Sequence, residues 1–335
     1  MELLKKKCPL CKSHAIRYHR KYQTKGHGTR TIYHCEDCGN CFSETKNTFM
    51  EGVKKPISLI WQVIKNRTEG QGLNATARVF DVAKNTILDW ERKFFDLHKV
   101  LFIYALAHQF LKLVIEGDEV YTKVNSNVPA DQSPGWTILL MERASRFIWE
   151  LKCGRKDERL FKKVIKTLAK LVNKTQDLTI LTDGERRYGN SLFEICFEIV
   201  KNGKRGRPKK TLKKGVKARV KNKGSQAHKK GPKRPKYQSP WAEHPETNQE
   251  LGDKEIHANH AEAFFSSLRR RCSAFRRRAN MYAKLTNALR RTLHVYWVIH
   301  NFVRVHFTTK QVPAAALGVI DRGLSIDELF QIQLS

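Results

Sequence analysis

No apolar run in this sequence approaches the roughly 20 residues that a membrane-spanning helix needs. Acid is scarce as well: 32 Asp and Glu stand against 64 Lys and Arg, a formal charge of +32. From Lys201 to Lys236 there is no acidic residue at all. The first absence excludes a helical membrane span, and Met1 to Lys5 leads into a cysteine pair rather than a signal peptide, so a soluble, intracellular protein with no membrane partner is expected. The second excludes a surface of balanced charge. Such an excess repels itself and makes sense against a polyanion, with nucleic acid the first expectation and an anionic membrane surface the second. A length of 335 residues is enough for two or three domains with sizeable cores.

Eight cysteines in a reducing compartment point to metal ligation more than to disulfides. Cys8 and Cys11 form one CxxC knuckle, Cys35 and Cys38 a second, and a hairpin-length basic segment separates them. Two such pairs supply four thiolates for one structural Zn²⁺ in a ribbon over residues 1–50. Cys41 is a fifth candidate, and His14, His19 and His34 are weaker alternatives. Residues 51–100 change to a helical period. Ile57, Ile60, Trp61 and Ile64 share one face, and the stretch from Leu73 to Lys93 has the pattern of a helix-turn-helix. In that pattern Ala77 sits where two helices cross, Val82 lies in the turn, and Asn85 and Thr86 open the second helix. Thr86, Asp89, Arg92 and Lys93 then project towards a major groove.

Residues 108–280 read as an α/β domain with a mixed sheet. Leu111 to Asp118 has the composition of a buried strand, yet it ends in carboxylates. Period-2 alternation puts Glu116 and Asp118 on one face and Glu119 on the other. A carboxylate on a core strand is costly unless a cation meets it. Two further strands over Gly135–Glu142 and Arg146–Cys153 follow, then a basic amphipathic helix over Asp157–Val172. A strand ending at Thr182, Asp183 and Gly184 comes next. Strand-helix-strand order makes the two acid-bearing strands neighbours, so Asp118 and Asp183 can converge. A third acid is expected on the helix after His257, where Ala261, Phe265, Leu268, Cys272 and Phe275 form an apolar stripe flanked by Glu262. Three hard oxygen ligands around one pocket suit Mg²⁺ or Mn²⁺, two ions per site, and the chemistry of an in-line phosphoryl displacement.

With Gly117-Asp118-Glu119, Thr182-Asp183-Gly184, Asn259-x-x-Glu262 and Arg269, Arg270 and Arg271 behind the paired knuckles, nearly the whole chain resembles DDE-type insertion-sequence transposases. Insertion sequence one and related families are the variety it most resembles. The resemblance implies a ribonuclease-H-like catalytic domain behind a zinc ribbon and a helix-turn-helix, with Asp118, Asp183 and Glu262 as the metal-binding triad. It further implies end binding at terminal inverted repeats of double-stranded DNA, joining of 3′-hydroxyl ends to target DNA, a homo-oligomer on DNA and a nucleoid-associated cytoplasmic location. The sequence departs from the family at Val120 and Tyr121, where many relatives carry a tryptophan, and in a long insert before the third acid, for which Glu250 and Glu255 are the alternatives. A non-catalytic DNA-binding regulator and a nuclease on the same fold are the competing functions.

The insert over 201–240 is dominated by Lys, Arg, Gly and Pro, which predicts a segment unable to order itself. Arg205 and Arg207, either side of Gly206, resemble an AT-hook core for a narrow minor groove. A nonspecific phosphate clamp is the equal alternative. Over 281–335 a C-terminal helical extension is predicted, with a long helix from Ala283 to Phe307 and a short one at Ile326–Gln331. Arg269 and Arg270 are placed beside the DNA path past Glu262.

Overall fold

The computed structural model describes residues 4–125, 128–201, 206–222, 238–246, 259–276 and 281–334. They divide into two compact units, one drawn from Met1–Ala105, Arg270–Met281 and Asn287–Ser335, the other from Leu106–Arg269 and Tyr282–Thr286.

The first unit begins with three short antiparallel strands, β1 (Ile16–Gln23), β2 (Thr29–Cys35) and β3 (Cys41–Ser43), in the order β1-β2-β3. Its core is minute: Cys8, Cys35 and Phe42, with Ile16, Tyr33 and Cys38 packed against them. Such a core cannot stabilise a sheet by burial alone. Three helices follow, α1 (Ile57–Arg67), α2 (Leu73–Phe80) and α3 (Lys84–Leu106). The turn between α2 and α3 has Asp81 in a left-handed conformation, with Val82 N–H donating to Ala77 O at 3.1 Å. Val82 is buried, as expected of the turn residue. On α2, Thr76 is fully buried and Ala77 half-buried. Threonine is accommodated because its hydroxyl donates back to Gly72 O at 3.1 Å.

The C-terminal helices α7 (Thr286–Phe302), α8 (Pro313–Ala316) and α9 (Ile326–Gln331) complete this unit. The last matches the sequence expectation, and Ser325 and Glu328 close it with a capping box. Buried Glu91 of α3 lies between two guanidiniums, Arg67 at 2.8 Å and Arg291 at 3.0 Å, so one carboxylate ties α1, α3 and α7 together. The tail then returns to the ribbon. Gln333 exchanges two hydrogen bonds with the Lys7 backbone, at 3.0 and 2.8 Å, and Leu334 N–H donates to Asn47 O at 2.7 Å.

The second unit is built on a six-stranded mixed sheet of order β11-β10-β7-β4-β5-β6. Its strands are β4 (Phe110–Tyr121), β5 (Trp136–Glu142), β6 (Ile148–Gly154), β7 (Thr175–Thr182), β10 (Val216–Asn222) and β11 (Gln238–Ala242). The run β4-β5-β6 is antiparallel, β4-β7 and β7-β10 are parallel, and β11 adds an antiparallel edge. Between β6 and β7 runs α4 (Glu158–Val172), whose Leu160, Phe161, Val164, Ile165, Leu168 and Leu171 are all buried at helical spacing. Asp157 caps it by accepting from Leu160 N–H at 2.9 Å. After β7 come α5 (Arg186–Cys196) and a two-stranded ribbon, β8 (Phe197–Val200) with β9 (Lys209–Leu212). The helix α6 (His260–Arg271) follows.

The basic insert is where expectation and structure part. Within 201–240, β9 and β10 are ordered strands, and β10 is internal to the sheet with Val216 and Ala218 buried. Its cations are drawn in as well, because acids from outside the tract meet them: buried Arg219 pairs with Glu246 at 2.9 Å and half-buried Lys217 with Asp177 at 3.3 Å. Composition counted those charges as solvated; their partners lie elsewhere in the chain.

Candidate metal centres

Two knuckles converge at the base of the ribbon. Cys8 Sγ lies 3.6 Å from Cys38 Sγ, and Cys11 Sγ 3.5 Å from Cys35 Sγ. All four sulfurs fall within 4.8 Å of one another. A tetrahedral zinc with Zn–S bonds of about 2.3 Å requires sulfur–sulfur separations of about 3.8 Å, so the four side chains fit the ion. Asn40 turns its side-chain N–H onto Cys38 Sγ at 3.4 Å; that contact and a backbone one lower the Cys38 thiol pKa to about 6, favouring the thiolate a metal takes. The turn needs Gly39, whose φ is +67°. Cys41 is exposed on β3 and stands outside the group.

The acids of the second unit are placed by strand register. In the parallel pair β4-β7, Glu116 lies opposite Leu181, and in β7-β10, Thr182 lies opposite Val220. Continuing each ladder puts Asp118, Asp183 and Lys221 in one row across three neighbouring strands, at the carboxyl end of β7. Lys221 Nζ stands 3.8 Å from Asp183 Oδ1, with its side chain 1% exposed. Burial and then the charge of Asp183 drive the Asp118 pKa up to about 7, against the opposing pull of Lys221. One hydrogen bond holds Asp118 in place, from Glu119 N–H at 2.7 Å.

Glu116 belongs to the same face as Asp118 and is fully buried. It meets the start of α6: its carboxylate accepts from Ala261 N–H at 3.1 Å and is bonded to His260 Nδ1 at 2.7 Å. A buried carboxylate on a helix N-terminus satisfies orphan backbone donors and the helix dipole together. On the opposite face Gly117 leaves room for the Tyr188 ring, which lies 3.2 Å from where a Cβ would stand. Glu119 pairs there with Lys156 at 3.0 Å.

Glu262 is exposed in the first turn of α6. Among the described residues it does not join Asp118 and Asp183 in a compact ligand set; the four thiols are the one group of three or more donors that close together. The structure therefore gathers two of the three expected acids, with a lysine beside them. Glu250 and Glu255 lie outside the described residues. Of the expected DNA-contacting side chains, Arg92 is exposed and paired with Asp89, Thr86 is half-buried, and Lys93 donates to Glu51 O at 3.0 Å. Arg207 and Arg270 are exposed, Arg269 is half-buried, and Arg205 lies outside the described residues.

Sequence reasoning missed Lys221 and His260. The signal for Lys221 was the alternation of Val216, Ala218 and Val220 inside the basic tract, which reads as a strand once its charge is set aside. A scan against protein-family models finds no match to the chain, and a search of curated proteins finds none either.

Proposed function

We propose that the chain is a DNA transposase of the DDE type, binding the ends of a mobile element, cutting the DNA and joining its 3′-hydroxyl ends to target DNA. The observation that carries this reading is the placement of Asp118 on β4 beside Asp183, one residue past the end of the adjacent parallel strand β7, with Asp118 pushed up to about 7. The sheet is compatible with a ribonuclease-H-like domain, and the four thiols with a zinc ribbon that helps to hold DNA. Asp118 and Asp183 are the residues that would hold Mg²⁺, with Glu262 the proposed third ligand. When bound, such a cation supplies charge neutralisation at the scissile phosphate and lowers the pKa of the attacking hydroxyl. The chain's own part is positional. The strand register sets the separation of Asp118 from Asp183, and Glu116 pins the start of α6, two residues before Glu262.

A cleavage and strand-transfer assay with Mg²⁺ and DNA carrying the terminal repeats tests this. Asp118→Asn and Asp183→Asn should each abolish both steps while DNA binding survives. Retained activity in both variants overturns the reading. One observation favours the non-catalytic DNA-binding regulator instead: the contact of buried Lys221 with Asp183 gives that acid a structural partner.

A further inference from the structure

At the tip of the β1–β2 hairpin lies a cavity of about 390 Å³, walled by the end of β1, the hairpin loop and residues of the segment 43–54. Backbone acceptors fasten the hairpin to that segment. Arg30 of β2, only 2% exposed, donates to Lys55 O at 2.7 Å and Val53 O at 3.3 Å, and the Thr24 hydroxyl donates to Lys54 O. A Cβ on Gly26 or Gly28 would stand 2.8 Å from Lys54 O, so the loop closes this far only because both are glycine. The fastening brings Lys25 of the loop and Lys54 to one cavity.

Charge there does not balance. Lys25, Lys46 and Lys54 line the cavity, and Glu51 is the only acid among the lining residues. Glu51 is committed already: Oε1 accepts from Lys46 Nζ at 2.6 Å and Oε2 from Asn47 N–H at 2.9 Å, and these bonds hold its pKa below the usual carboxylate value. Lys46 is thereby matched. Lys25 and Lys54 are exposed, and among the described residues no acid stands within ion-pair distance of either. Hydroxyls complete the wall: Tyr22 donates to Ser43 Oγ at 3.3 Å, and Ser43 Oγ lies 3.4 Å from Thr45 Oγ1. Two unmatched ammoniums beside a row of hydroxyls are donors that suit a phosphate, with lysine acting as a point charge. The basic surface continues out of the cavity. β1 is exposed from Arg17 to Gln23, and its Arg20 and Lys21 also have no acid partner among the described residues. A lone anion needs only the cavity, whereas a basic strand leading away from it fits a chain of phosphates.

We propose that this cavity binds a backbone phosphate of DNA, with the nucleic-acid strand continuing along β1. The inference rests on the reading of the ribbon as a part that helps to hold DNA, and it needs neither Asp118 nor Asp183. The test uses the full-length protein and a mixed-sequence DNA duplex, with affinity measured from low to high salt. Lys25→Gln combined with Lys54→Gln should weaken binding about fivefold and lower the slope of log affinity against log salt by about one, the share of one phosphate contact. Lys163→Gln combined with Lys166→Gln removes the same charge from the exposed face of α4 and should leave affinity within about twofold of the wild type. Wild-type affinity and slope in the hairpin variant overturn the proposal. An equal loss in the α4 variant overturns it too, because the effect is then one of net charge. So does a hairpin variant that loses binding of inorganic phosphate but not of the duplex, which assigns the cavity to a free anion. Cleavage is read separately. A wild-type protein that binds DNA through the hairpin but never cuts it in Mg²⁺ sinks the transposase reading and leaves the phosphate site standing. One that binds no DNA sinks both.

Discussion

At Asp118 burial and the like charge of Asp183 act on one side chain, opposed by Lys221 and by the hydrogen bond from Glu119 N–H. Without a divalent cation the ionised acid works against folding. Asp118→Asn should therefore raise the melting temperature in Mg²⁺-free buffer at pH 8, by about 2–4 °C for each kcal/mol relieved. Mg²⁺ should stabilise the wild type and leave the variant unmoved; thermal melts with and without Mg²⁺ check both. Glu243 offers an independent pH reading. Its carboxylate lies where a Cβ on Gly189 would stand, and neither of its oxygens has a hydrogen-bond partner among the described residues. Burial raises its pKa to about 6 from 4.5, in spite of Arg186. The folded state thus holds the proton more tightly than the unfolded one, so stability falls as pH rises from 4.5 through 6. The residue as a whole is only half-buried, so the loss is at most about 1 kcal/mol. Glu243→Gln should flatten melting temperature against pH in that window, and a slope equal to that of the wild type would refute the assignment.

The ribbon, the two-helix motif and the amphipathic α4 were legible because each announces itself locally. Paired CxxC spacing, a turn flanked by helical periods and a stripe of buried apolar side chains along about four helical turns need no distant partner to be read. The same holds for α9 through its Ser325–Glu328 box. What stayed hidden depends on contacts remote in sequence. Lys221 is a solvated charge until Asp183 is set beside it, and Arg219 until Glu246 is. Gln333 is a tail residue until Lys7 receives it. That last contact alters how the ribbon must be tested, since β1 to β3 are tied to the C-terminal tail and are best assayed in the full chain. Ligation should supply most of the ribbon's folding energy, because its core is so small. Metal analysis should find one zinc per chain. Removing it, or making Cys8→Ser, should unfold β1 to β3 and abolish protection of their amides from hydrogen exchange. Unchanged protection after complete zinc removal would refute a structural zinc.

On the proposed function, a charge of +32 spread over 335 residues would make DNA binding and DNA chemistry separable properties. Many cations contribute to affinity, so the loss of one carboxylate should not weaken binding; removing negative charge near phosphates should, if anything, strengthen it slightly. The proposed catalysis is different, for it would depend on a few acids held in register. Asp118 on β4 and Asp183 just past the end of the neighbouring β7 act on each other through space, so neither can be neutralised without changing the field at the other. Asp118→Asn and Asp183→Asn should each reduce cleavage and strand transfer by at least about a thousandfold, the scale on which losing an essential electrostatic group is felt. Affinity for DNA should stay within about twofold. Glu262 makes the sharper test, because it is exposed on the first turn of α6 while Glu116 and His260 fix where that turn begins. If Glu262 completes the ligand set when Mg²⁺ and DNA are present, Glu262→Gln should match the aspartate variants in activity and equal the wild type in binding. Substituting Glu116→Gln should then lower activity as well, because the anchor of α6 is weakened, and this effect should be partial rather than complete. An active Glu262→Gln beside inactive Asp118→Asn and Asp183→Asn would move the third ligand to another acid. Full activity in all three would leave the sheet as a scaffold and the chain as a DNA-binding protein.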